Sequence, residues 1–119
     1  MEFCKEIIDI IENHGFTAHK IEKQCDDYYV EIGQFTPAGE DWWETIWFDG
    51  TDEGFSEGVK ERYLNFDIDD EADLWIEHRG KYGVPSSIRT LVEDAEWKDD
   101  KLKEFSDALA ELIAEKMYE

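Results

Sequence analysis

The sequence predicts an α+β domain: a three-stranded antiparallel meander with an N-terminal helix and C-terminal helices packed on it, in the order α-β-β-β-α-α-α. Three observations carry that expectation. Apolar residues near the N terminus recur at spacings of three and four, as one face of a helix requires. From about residue 17 to residue 49 the pattern changes to alternation, rich in β-branched and aromatic side chains. After Thr51, cap residues and helical spacing return and persist to the end.

The first helix is expected over residues 2 to 13, with Phe3, Ile7, Ile10 and Ile11 on its apolar side and Gly15 as its left-handed stop. Residues 17 to 24 alternate weakly as a strand, anchored by Ile21, and Cys25-Asp26-Asp27 supplies a turn. Residues 28 to 35, "YYVEIGQF", have the highest β-propensity, with Val30 and Ile32 on one face. "TPAGED" is a loop punctuated by Pro37 and Gly39. The third strand spans residues 42 to 49. Trp42, Glu44, Ile46 and Phe48 point one way, toward the helices, and Trp43, Thr45 and Trp47 point the other.

Thr51 or Asp52 caps a helix to about Asn65, with Phe55, Val59, Tyr63 and Phe66 as its buried stripe. Asp69 or Asp70 caps a shorter helix to about Arg79, with Leu74 and Trp75 inward and Gly80 as stop. "KYGVPSS" reads as a loop. Ser86 or Ser87 then caps a short turn holding Ile88, Leu91 and Val92. A last helix is expected from about Glu96 to Tyr118, with Leu102, Phe105, Leu109, Leu112 and Ile113 on its inner face. One core is expected for residues 1–119, because the short helical turn near residue 88 is too small to fold alone.

Composition narrows function more than any motif does. The chain has 119 residues, 32 Asp plus Glu against 12 Lys plus Arg, and a net charge of −20. Hydrophobic residues at 41% supply a core, so this charge does not imply disorder. A polyanion repels other polyanions, which argues against direct binding of nucleic acid or an anionic membrane and favours a basic protein surface. Salt adaptation is the weaker account, since nine of the 12 basic residues are still lysine and large aromatics are abundant. No run approaches a membrane span and no basic-then-apolar leader is present, so a cytoplasmic location with reduced Cys4 and Cys25 is expected.

The charge is not evenly spread. Residues 40 to 77 hold 14 acids and two bases, Lys60 and Arg62, a balance of −12. Glu53, Glu57 and Glu61 fall at i, i+4 spacing, a row of carboxylates about 6 Å apart along a helix. Glu96, Asp100, Glu104, Asp107, Glu111 and Glu115 make a second stripe, with Lys98, Lys101, Lys103 and Lys116 on its flanks. Each stripe alone reads as a solvated helix face. Together with an acidic loop they suggest an imitation of the phosphate field of DNA.

Motifs for chemistry fail one after another. The run Asp67, Asp69, Asp70, Glu71, Asp73 lacks the glycine and the final glutamate of a calcium loop, with Ala72 and His78 in those places. It reads instead as a helix start favoured by the macrodipole. His14, His19 and His78 have no zinc-ligand spacing, and Ser86 and Ser87 lack a nucleophile-elbow context. No cofactor fingerprint is present, and no catalytic residue is assigned.

The stretch "TPAGEDWWETIWFDGTDEG" places three of the five tryptophans among six carboxylates and no base. Packing on both faces of the strand would bury all three. The alternative is a recognition surface, in which Trp43 and Trp47 anchor and the acids steer. The candidate binding residues on that reading are Glu40, Asp41, Trp43, Trp47, Asp52, Glu53, Glu57, Glu61, Asp69 and Asp70.

The segments "YYVEIGQFTPAGEDWWETIWFDGTDEGF", "YLNFDIDDE" and "RGKYGVPSSIRTLVEDAEWK" resemble a group of short acidic proteins carried by mobile elements and phages of gut-dwelling anaerobic bacteria. In plan, the chain is also similar to one module of the ArdA-type antirestriction proteins, which are acidic DNA mimics. It is shorter than they are, and no motif aligns residue by residue. The resemblance implies an accessory protein that helps an element evade host defence, with no residue roles carried over. The first expectation for the chain is a non-enzymatic binding protein, a DNA mimic that blocks a basic cleft on a defence nuclease or DNA-binding protein. A small adaptor that assembles through its aromatic patch is the alternative, and a motif-less enzyme or a cation-binding protein ranks behind both.

Overall fold

The computed structural model describes residues 1–118, and it is the α+β meander the alternation predicts. Helix α1 (Lys5–Asn13) starts a turn later than its apolar pattern and buries Ile7 and Ile11. It closes through paired bonds, Phe16 N–H to Ile11 C=O and Gly15 N–H to Glu12 C=O, the glycine-terminated arrangement expected at Gly15. Next come β1 (Thr17–Ala18), β2 (Glu22–Gln24), β3 (Asp27–Phe35) and β4 (Asp41–Phe48). Both β1 and β2 pair antiparallel with one edge of β3, and β4 pairs antiparallel with the other.

The expected strand over residues 17 to 24 is therefore one edge strand broken in the middle. His19 N–H still reaches Glu31 C=O, but the chain then leaves the ladder so that Ile21 turns into the core. A single apolar anchor in a polar edge strand is buried at the expense of regular pairing. In the turn that follows, Cys25 takes a left-handed conformation, and the strand resumes at Asp27.

The helices cover one face of the sheet. Helix α2 (Asp52–Leu64) is capped by the Thr51 hydroxyl, which accepts from Gly54 N–H, and buries Phe55 and Val59. Helix α3 (Ile68–Ile76) is capped by Asp67, not by Asp69 or Asp70, and ends before Arg79. Leu74, expected inward, is exposed, and Ala72 is the buried residue of that helix. The three-residue spacing pairs Ala72 with Trp75, which leaves Leu74 on the outer side.

The largest departure is α4. The sequence suggests a short turn and then a helix from about Glu96. The structure has one helix of 30 residues, Ile88–Met117, capped by Ser87. At 1.5 Å per residue it is about 45 Å long, and the molecule is 49 Å along its longest axis. The apolar stripe looked broken because two of its inward positions are charged. Asp94 and Lys98 are both buried, continuing the line from Leu91 to Leu102, Phe105 and Leu109. Lys98, expected on the flank of the acidic stripe, is fully buried. The core gathers side chains from α1, every long strand, α2 and α4 in one cluster. Among the described residues no helix is long and apolar enough to cross a membrane.

Candidate functional site

Strand β4 divides its side chains cleanly. Trp42, Glu44, Ile46 and Phe48 are buried, and Asp41, Trp43, Thr45 and Trp47 are exposed. Trp42 is 2% exposed, whereas Trp43 is 37% and Trp47 50% exposed. The two indoles stand on the face away from the helices, and β3 completes that face with Tyr29, Glu31, Gly33 and Phe35. The rings are held in place. Trp43 lies against His19 at 4.4 Å between ring centres, and its Nε1–H donates to Asp41 Oδ1 at 2.8 Å. Gly33, its register partner, has no Cβ because one would collide with the Trp43 ring. Tyr29, the register partner of Trp47, sits 4.9 Å from it.

Trp47 also forms one wall of a groove of about 540 Å³ whose other wall is α2. Glu53, Glu57, Glu61 and Leu64 line it from the helix, and Asp49 closes one end. The helix comes this close to β4 because position 58 is glycine. A Cβ there would sit 2.6 Å from the Trp47 carbonyl oxygen. Glu53, Glu57 and Glu61 are exposed, and none of them joins a salt bridge among the described residues. Their repulsion is therefore uncompensated except by Lys60, the one base lining the groove.

Behind the sheet lies a second charged feature, largely buried. Lys98 Nζ donates to Glu40 Oε1 at 3.2 Å and to Glu71 Oε1 at 3.1 Å, 4.7 Å from the Trp75 ring centre. Trp75 Nε1–H reaches the same Glu71 oxygen, and Ala38 N–H donates to Asp94 Oδ1. Burial first, and then the hydrogen bond to Asp94, pushes the Glu40 carboxyl up to about 8 against the opposing pull of Lys98. Glu40 Oε2 and Asp94 Oδ2 are both buried without a hydrogen-bond partner. Between α2 and β4, Arg62 grips buried Glu44 through two bonds of 2.9 Å. Burial raises the Glu44 carboxyl and Arg62 pulls it back.

The structure thus sorts the sequence-based candidates. Trp47, Glu53, Glu57 and Glu61 share the groove, and Trp43 and Asp41 lie on the same sheet face beyond it. Asp52 is half-buried and faces Lys116 at 3.5 Å, so its charge is partly matched. Asp69 and Asp70 are exposed on the first turn of α3 and do not line the groove. Glu40 is corrected. It is buried at the end of the hairpin loop and holds Lys98, so it is no surface residue. Sequence reasoning missed Tyr29, Phe35, His19 and Asp49. The alternation of "YYVEIGQF" already put Tyr29 and Phe35 opposite Val30 and Ile32, and this was the signal for the first two.

Among the described residues, no group of three or more His, Cys, Asp or Glu is placed to hold a metal ion. No protein family, curated protein or solved structure matches the chain.

Proposed function

We propose that this is a non-enzymatic binding protein that occupies a basic surface on a nuclease or DNA-binding protein, competing there with DNA. One observation carries the reading. Two braced, exposed tryptophans stand on an uncovered sheet face, beside a row of unpaired carboxylates. The acids raise the encounter rate with a cationic partner, and the indoles supply the contact area that interfaces concentrate at their centres. Net charge of −20 makes the same face a poor match for nucleic acid.

The aromatic face would also suit assembly of identical copies, the adaptor reading. Bringing two such faces together opposes −20 with −20, so salt separates the readings. The test is capture of the partner from a host lysate, followed by competition with duplex DNA and a salt titration. A basic nucleic-acid-binding protein that DNA displaces, with affinity falling steeply as salt rises, is the expected result. Affinity indifferent to both, or self-association that strengthens with salt and no partner, overturns the reading.

A further inference from the structure

We infer that the groove between Trp47 and α2 is the seat of an extended, arginine-bearing segment of the partner. This rests on the proposed function and goes beyond it, by naming the side chain and the backbone form that this groove selects. Three features of the groove point the same way.

The first is the pairing of a planar wall with a charged wall. Trp47 is half exposed, its ring 4.9 Å from that of Tyr29, and it lines the groove together with Glu57 and Glu61. A guanidinium is planar, stacks on an indole face and forks to carboxylates. An ammonium is a hydrated point charge that does neither well. The site therefore prefers arginine to lysine.

The second is spacing. Glu53, Glu57 and Glu61 repeat every four residues of helix, about 6 Å. Alternate side chains of an extended chain repeat at about 6.6–6.8 Å on one face. A segment of the form Arg-x-Arg then meets successive carboxylates, whereas a helix would present neighbouring cations on a curved surface.

The third is charge complementarity without internal competition. Only Lys60 brings a positive charge to this groove, and it forms no salt bridge among the described residues. The second stripe differs. There Lys101 lies 3.5 Å from Glu104 and Lys103 lies 3.6 Å from Asp107, so part of the acid is already matched. The α2 groove has the unspent charge and the indole together.

Two capped peptides of alternating sequence test the inference, Gly-Arg-Gly-Arg-Gly-Arg-Gly and its lysine counterpart. Calorimetry at low ionic strength gives affinity, and tryptophan fluorescence reports contact with the indoles. The arginine peptide should bind about tenfold more tightly, and Trp47→Ala should abolish that preference. Glu57→Gln with Glu61→Gln, whose side chains are exposed and bear on no fold contact, should weaken both peptides. Equal binding of the two peptides, unaltered by Trp47→Ala, overturns the arginine seat and leaves the basic-partner reading standing. No binding of either peptide overturns both. A groove that instead loses self-association on Trp47→Ala belongs to a second copy, which also overturns the inference.

Discussion

The two faces of the sheet invert the usual placement of charge and aromatic surface. Behind β4, Glu40, Glu44, Lys98 and Asp94 are buried, while on its front Trp43 and Trp47 are exposed. The inner ions cost desolvation that their pairing only offsets, so they are poor candidates for net stability. Their effect is positional. Lys98 ties the hairpin loop at Glu40, α3 at Glu71 and α4 to one another, and Arg62 ties α2 to β4. The outer indoles give up burial and are braced all the same by His19, Asp41 and Tyr29. One face uses charge to fix the helices; the other keeps rigid apolar surface available. The contrast breaks or holds on measurable differences between the two.

Lys98→Met should have the largest effect. It leaves Glu71 inside without its cation and should cost about 3–5 kcal/mol in urea denaturation. Adding Glu71→Gln should recover part of that loss. No recovery would mean that Lys98 acts through packing against Trp75 and Trp42 rather than through charge. Trp42→Ala empties the centre of the core, where its ring meets Phe16 at 5.5 Å and Trp97 at 6.0 Å. It should cost about 3–5 kcal/mol, and Trp47→Ala on the other face should cost under about 1.5 kcal/mol. Similar losses from both would mean that the outer indoles are structural, and the contrast would fall.

The same inversion marks where the sequence is legible. Alternation assigns Trp42 inward and Trp43 outward because a strand has a period of two and each residue is read by parity alone. The stripe Phe55, Val59 and the run Leu102, Phe105, Leu109 are legible for the same reason at the helical period. The charged interior is not. Asp94 and Lys98 occupy core positions of α4 but look like surface residues, so the pattern reports a gap and the helix seems to begin eight residues late. Glu40 looks like a loop acid for the same reason. Its partners lie 31 and 58 residues away, at Glu71 by way of Lys98 and at Lys98 itself, and no local pattern encodes them. The groove is hidden likewise, since it exists only because Gly58 lets α2 approach the Trp47 carbonyl.

Glu40 makes a difference that depends on pH. Its carboxyl is raised to about 8 in the folded state, so below that pH the folded chain holds a proton the unfolded chain releases near the ordinary carboxyl range. Stability from this group is therefore fully present in acid and is lost as pH rises toward 8, at up to about 1.4 kcal/mol per pH unit. Glu40→Gln keeps an acceptor for Lys98 and a donor for Asp94 without the titration. Urea midpoints taken from about pH 5 to about pH 9 should fall for the wild type and stay flatter for the variant. Parallel curves would show that the Glu40 carboxyl is not raised in the folded state.

The smallest effect on stability bears most on function. Glu53, Glu57 and Glu61 repel one another on an exposed face and touch nothing that the fold needs. Replacing all three by Gln removes two adjacent like-charge pairs, at about 0.2–0.5 kcal/mol each, so the variant should be slightly more stable than the wild type. Glu53 also lies in the first turn of α2, where a negative charge favours the helix dipole, and this trims the gain. The inner carboxylates behave oppositely: Glu44→Gln weakens the fork to Arg62 and should destabilise. On the proposed function, this row of acids serves the partner rather than the fold. The triple variant should therefore bind the arginine peptide much more weakly while its circular dichroism stays native and its urea midpoint rises. If the midpoint rises and binding is untouched, the row is only a solvated helix face, and the outer indoles stand alone as the recognition surface.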